Sequence, residues 1–185
     1  MIQITLTDTG VHAELARLVN AFDNPQPALK SIGELVVEFT KTRFEVSQDP
    51  YGKPWAPNTD TTLRRMLHGN AKNFTKVKGR LSARGQLALS SKKPLIGETK
   101  SLSTQFFKPE ESKNWRLVGG NGVEVYSSMR YAAIQQFGGK KADFPHLWGD
   151  IPARPFFPDA ARGLPPGLAQ RIHQVLADYI AGAKS

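Results

Sequence analysis

The chain has no cysteine. Disulfides, thiolate-bound zinc and thiol catalysis are therefore excluded, and a reducing compartment is compatible with the composition. It has no apolar run long enough to cross a bilayer. The first residues, Met1-Ile2-Gln3-Ile4-Thr5-Leu6, show neither the basic nor the apolar region of a signal peptide. A soluble protein made and used in the cytoplasm is expected. The four histidines, His12, His68, His146 and His173, are scattered, with no His-x-x-x-His or Glu-x-x-His pair among them. No metal site is expected from that spacing. Gly-x-Ser-x-Gly and phosphate-loop patterns are missing, and the adjacent acids Glu110 and Glu111 do not resemble a positioned acid–base pair. The expectation is a protein without cofactor, metal, catalytic residues or enzymatic turnover.

Acidic residues are nearly missing from one segment. Between residues 64 and 100 stand Arg64, Arg65, Lys72, Lys76, Lys78, Arg80, Arg84, Lys92, Lys93 and Lys100 against the single acid Glu98. The rest of the chain balances 15 basic against 15 acidic residues, so this segment carries the whole net charge of +9. Aromatics are also scarce there, with Phe74 alone, which gives base stacking on single strands little support. Three readings stay open for the segment. It is a solvated loop, or it orders against an acidic protein surface, or it touches DNA phosphates. The second is favoured, because a conduit that DNA must leave quickly should not grip phosphates.

At 185 residues the chain is expected to be a single domain, 1–185, large enough for a core of its own. Ile2, Ile4 and Leu6 have strand period, and Val11, Leu15, Leu18, Val19 and Phe22 have helix period. A second helix is read from Pro27 to about Val46, with Leu29, Ile32, Leu35, Val36 and Phe39 on its apolar face. Asp49 to Pro57 is turn chemistry around Trp55, which either pins the loop into the core or anchors an interface. Thr61 to Leu67 fits one or two helical turns. Residues 68–94 are poor in large apolar side chains and are read as a flexible basic arm. Strands are expected at Thr104–Lys108, Trp115–Val118 and Val123–Ser127, with Gly119-Gly120-Asn121-Gly122 as a hairpin turn and Val118, Val123 and Val125 on one face. Tyr131–Phe137 reads as a short helix closed at Gly138-Gly139 by a left-handed cap, with Tyr131, Ile134 and Phe137 inward and Gln135 and Gln136 outward. A C-terminal helix within 164–185 begins near Pro165-Pro166, with Leu168, Ile172, Val175 and Tyr179 on its apolar face. Runs of strand apart from runs of helix imply α+β: a mostly antiparallel sheet packed against a long helix, with an extended basic loop.

Four runs occur in a particular order: Gly52-Lys53-Pro54-Trp55, then Leu95-Ile96-Gly97-Glu98-Thr99-Lys100-Ser101-Leu102, then Tyr131 to Gly139, then Ile151-Pro152-Ala153-Arg154-Pro155-Phe156-Phe157. This set resembles the virion morphogenesis and tail completion proteins of tailed bacteriophages, the group that includes the Mu G protein. It covers roughly residues 50 to 158. The second run departs from the family pattern, because the usual glycine after its threonine is Lys100.

The resemblance implies a structural α+β subunit of the head–tail connector or tail terminus, found in the virion and assembled in the host cytoplasm. Its implied partners are further copies of itself in a ring, with a hexamer expected, together with the tail tube protein and neck or connector proteins. No membrane partner is implied, and contact with genomic DNA would be transient. The expected interface residues are Trp55, Gln135, Gln136, Arg154 and Phe156, with the basic arm beside them. Physically, the prolines pre-extend residues 151–158, so docking orders little new chain. Arg154, held between Pro152 and Pro155, suits a bidentate carboxylate contact. The alternative is that Arg154 pairs inside its own subunit. The rival function is a basic DNA-binding accessory protein using residues 64–100.

Overall fold

The computed structural model describes residues 16, 17, 19, 20, 22–68, 70–75, 80–96, 101–107, 114–147 and 149–182, without the side chains of Asp60, Thr61 and Arg65. The strand expected at Ile2–Leu6 lies outside these residues. Of the first expected helix, residues 16, 17, 19, 20, 22 and 23 are helical, with Val19 and Phe22 exposed.

In chain order the elements are α1 (Gln26–Val46), α2 (Asp60–Leu67), a 3-10 turn (Ala71–Asn73), α3 (Ala83–Ser90), α4 (Ser101–Phe107), β1 (Trp115–Val118), β2 (Gly122–Val125), α5 (Ala132–Phe137) and α6 (Pro166–Gly182). The architecture is α+β, and among the described residues its sheet is a two-stranded antiparallel one. The chain forms two compact units. The first holds the N-terminal part of α1 to Val37, the β1–β2 hairpin and α6; the second holds Glu38–Asn114 and Ser127–Pro165.

Helix α1 starts where Pro25 and Pro27 supply first-turn geometry, and Leu29 N–H donates to the Pro25 carbonyl at 3.0 Å. It ends at Ser47, whose φ of 57° turns the chain left-handed. Gln48 N–H then reaches back to the Arg43 carbonyl at 3.3 Å, the six-to-one bond of a Schellman closure. The buried stripe runs Ala28, Ile32, Val37, Thr40 and Phe44. It is rotated from the expected face: Ile32 and Phe39 are buried, whereas Leu29, Leu35 and Val36 are half-buried.

In the first unit the hairpin pairs Trp115 with Val125, Leu117 with Val123 and Val118 with Gly122. Directly opposed residues share a face, so Trp115, Leu117, Val123 and Val125 go together. Val118 lies on the other face with Arg116 and Glu124, which corrects the expected valine trio. Gly119 and Gly120 take φ of 61° and 79°, as the turn requires. Gly33 permits α1 to pack on the hairpin, since a Cβ there would stand 2.9 Å from both Trp115 and Val123 side chains. Helix α6 buries Leu168, half-buries Ile172, Val175 and Tyr179, and ties the Tyr179 hydroxyl to the Asn24 carbonyl at 2.6 Å.

The second unit is built on an aromatic core. Phe44 stands 5.4 Å from Trp55, 5.7 Å from Phe106 and 5.5 Å from Phe156 between ring centroids. The strand expected at Thr104–Lys108 is instead helix α4. Burying Leu102, Ser103, Gln105 and Phe106 together needs helical spacing, and tertiary packing overrides the β-preference of Thr104, Phe106 and Phe107. Gln105 also serves as a bracket: its Oε1 accepts from Ser128 N–H at 3.0 Å and from the Ser127 hydroxyl at 3.2 Å.

Residues 68–94 are not without regular structure. The 3-10 turn and α3 lie inside them, and Phe74 bridges Leu81 in antiparallel fashion. Ser82 caps α3, accepting from Gly85 N–H at 3.1 Å, while its hydroxyl donates to the Lys72 carbonyl at 2.7 Å. Asn73 is buried and donates to the Leu67 carbonyl at 3.1 Å. A small hydrogen-bonded module thus forms where the low apolar content suggested only a loop.

Candidate interface site

Three of the four sequence runs converge in the second unit. The loop carrying Gly52–Trp55 is shaped first by Asp49, a buried carboxylate whose Oδ1 accepts from Tyr51 and Lys53 N–H, both at 2.8 Å. This Asx-type turn aims Trp55 inward, where it is buried. The indole N–H then donates to the Pro155 carbonyl at 2.7 Å. The segment after Ile151 holds the other side of the same joint. Arg154 Nε donates to the Ala56 carbonyl at 2.8 Å, and Nη2 to the Pro57 carbonyl at 2.9 Å. Tyr51 closes the far end, its hydroxyl donating to the Gly163 carbonyl at 2.6 Å, with the Arg162 guanidinium 3.5 Å over its ring.

Helix α5 supplies the third side. Gln136 is 8 % exposed. Its Oε1 accepts from Phe156 N–H at 2.9 Å and Phe157 N–H at 3.1 Å, and its Nε2 donates to the Phe157 carbonyl at 2.9 Å. One amide side chain thereby satisfies three main-chain groups of a proline-rich segment that has no ladder of its own. The Gln135 carbonyl accepts from Arg154 N–H at 2.8 Å, and Gly139 and Ile151 exchange bonds at 2.9 and 2.8 Å. Gly138 makes this approach possible. Its φ of 74° and ψ of 179° lie in a region open essentially to glycine, and a Cβ would stand 2.8 Å from Ala153 N. The cap thus has positive φ but an extended ψ, not the left-handed helical cap expected.

The orientation of α5 is the reverse of the sequence reading. Gln136 and Ala132 are buried, while Tyr131 is exposed and Phe137 is 78 % exposed. A six-residue helix has room for one buried stripe, and the hydrogen-bond demand of residues 156 and 157 claims it for Gln136. Gln135 is half-buried. Of the expected interface residues, Trp55, Gln136, Arg154 and Phe156 are buried together in an internal brace. Arg154 follows the intrachain alternative, with its fork on the Ala56 and Pro57 carbonyls. The asparagine and threonine positions lining the groove beside it, described below, carried no periodic or compositional signal in the sequence.

Burial pulls the Arg154 pKa down. Burial also lowers that of Arg43, where the charge of Asp49 works the other way. Both remain cations, since arginine starts so high.

The basic segment is presented outward. Arg64, Lys72, Arg80, Arg84 and Lys93 are exposed and Lys92 is half-buried. Lys93 Nζ donates to the Glu45 carbonyl at 2.8 Å. Lys76, Lys78 and the Arg65 side chain lie outside the described residues. Among the described residues there is no group of three or more His, Asp or Glu that could hold a metal ion, and no helix is long and apolar enough to cross a membrane.

The model of the phage virion morphogenesis family matches residues 6–103. The chain belongs to that family. The match takes in the Gly52–Trp55 loop and the Leu95–Leu102 run of this virion morphogenesis protein, whereas the runs at 131–139 and 151–157 lie beyond it. It identifies the family as a whole and does not single out the Mu G protein within it. No curated protein and no solved structure matches the chain.

Proposed function

We propose that this virion morphogenesis protein is a structural part of the head–tail connector or tail terminus, which closes into a ring, completes the tail and joins it to the head. It turns over no substrate. The observation that carries this reading is where the polar side chains of the second unit point. Trp55, Gln136, Arg154, Asp49 and Tyr51 all hydrogen-bond main-chain groups of irregular segments. An enzyme gathers such groups around an open cleft; here they stiffen a body that has to keep its shape under load. Rings follow when one face of a subunit meets a different face of the next and the rotation closes. A hexamer matching the tail tube is the family-based expectation, with the tube and the neck or connector proteins as neighbours.

The exposed Arg64, Lys72, Arg80 and Arg84 favour one second reading, a basic accessory protein on DNA. Titration of the protein against duplex DNA at two salt concentrations separates the two, because phosphate binding falls steeply with salt. For the assembly reading, imaging of particles made without the protein should show filled heads and separate tails. Firmly attached, infectious tails in its absence would overturn it.

A further inference from the structure

Arg154 is 7 % exposed, yet its hydrogen-bonding capacity is incomplete. Nε and Nη2 are taken by the Ala56 and Pro57 carbonyls, and Nη1 has no partner among the described residues. No carboxylate lies within ion-pair distance of it there. Nη1 is not sealed in either. The fully enclosed side-chain polar atoms that lack a partner among the described residues are Arg43 Nε and the two amide atoms of Asn114. A guanidinium with so little access to water and an open Nη1 group is suited to an anion placed on that group.

The space available to that anion is a groove of about 570 Å³, lined by Arg154 together with Asn58, Thr59, Thr62, Gln135 and Asp150. The two threonine hydroxyls already bond to each other at 3.0 Å and can turn a proton outward. Asp150, Ile151 and Pro152 also line a second hollow of about 510 Å³, together with Lys140, Asp143 and the exposed Phe137 and Phe144. Asp150 accepts from Lys141 N–H at 2.8 Å. Arg154 and Lys140 are offset by Asp143 and Asp150 along it, so the groove has no excess positive charge with which to hold a polyanion such as a nucleic-acid backbone. One isolated carboxylate beside one apolar side chain fits.

We infer that this groove binds an extended peptide segment of a neighbouring protein subunit, with an Asp or Glu carboxylate on Arg154 Nη1 and a bulky apolar side chain against Phe137 and Phe144. The inference rests on the assembly reading above and names the chemistry of the partner. It also revises the role of Arg154, whose Nε and Nη2 position its own loop and leave the Nη1 amino group for the partner.

The test is a nuclear magnetic resonance titration of the full chain with N-acetyl-phenylalanyl-aspartyl amide and with its asparaginyl counterpart. The aspartyl compound should shift the Arg154 guanidinium and Gln135 side-chain resonances; the asparaginyl one should bind at least about tenfold more weakly, the loss of a charge-assisted bond. Thr62 is exposed on the groove wall. Thr62→Glu places a carboxylate beside Arg154 and should weaken aspartyl binding about tenfold or more, with circular dichroism unchanged. Equal binding of the two compounds, or undiminished binding by folded Thr62→Glu, overturns the inference. So does a short DNA duplex that shifts Arg154 where the dipeptide does not. The two readings fail separately. Dipeptide binding with infectious virions made in the protein's absence leaves the site and removes the assembly role; dependence of tail joining on the protein without dipeptide binding does the reverse.

Discussion

The indole N–H of Trp55 donates to the carbonyl of Pro155 at 2.7 Å across 100 residues of sequence. That bond fixes the early loop to the late proline-rich segment, and both are packed on Phe44. Trp55→Phe keeps most of the apolar area but leaves the Pro155 carbonyl without its donor. A loss of about 1–3 kcal/mol is expected, and Trp55→Ala should lose about 3–5 kcal/mol. Urea unfolding followed by circular dichroism measures both.

Gln136 should be harder to replace than its chemistry suggests. Gln136→Leu is isosteric to a first approximation, but it strands the N–H groups of Phe156 and Phe157 and the Phe157 carbonyl, all bonded to it in the folded chain. Each orphaned buried group costs about 1–3 kcal/mol, and some will find water, so a total of about 2–4 kcal/mol is expected. Gln136→Leu with unchanged stability would show that these bonds do not hold the segment.

Two glycines give a matched pair. Gly138→Ala combines a glycine-only backbone with a Cβ 2.8 Å from Ala153 N, and should cost about 2–4 kcal/mol. Among the described residues Gly149 has nothing within 4 Å of the same added atom, and it has no positive φ. Gly149→Ala should leave the melting temperature nearly unchanged. Differential scanning calorimetry of the two variants measures the difference, and equal melting temperatures would show that the close approach of α5 to residues 151–153 does not limit side-chain size.

The base of the basic segment can be tested apart from the aromatic core. A Cβ on Gly85 would collide with the Asn73 carbonyl oxygen, the same oxygen that accepts from Ser82 N–H at 2.9 Å. Gly85→Ala should therefore remove hydrogen-exchange protection from residues 70–75 and 80–91. Trp55 fluorescence should hold, because its contacts are to Phe44 and Pro155. Loss of both signals together would mean that the module and the core are one cooperative unit.

Arg154→Lys tests whether the guanidinium fork matters beyond its charge. A lysine keeps the cation but cannot reach two carbonyls in the fixed geometry of Nε and Nη2. A loss of about 1.5–3 kcal/mol is expected in chemical denaturation.

Some of this was legible beforehand. The long helix, the hairpin with its glycine turn, and the C-terminal helix with Leu168, Ile172, Val175 and Tyr179 inward all follow from local periodicity and turn chemistry, which act over a few residues. The face of α5 was not legible. Periodicity assigns apolar residues inward, and nothing local reveals that the backbone of residues 156 and 157 needs an amide partner 20 residues upstream. Segment 101–107 failed similarly: seven residues of mixed preference carry too little intrinsic bias to resist packing. In the basic segment low apolar content suggests a loop, while Asn73, Ser82 and Gly85 hold it through hydrogen bonds and close backbone approach.

Sequence alone determined the absence of thiol chemistry, the confinement of the excess positive charge to residues 64–100, and the family match over residues 6–103. Those are properties of composition and order, and folding does not change them. Only tertiary structure decided that Trp55, Gln136 and Arg154 brace one another's segments, and that Arg154 also lines a groove. Burial and hydrogen-bond satisfaction depend on which distant backbone groups come together, and that is set by the whole fold.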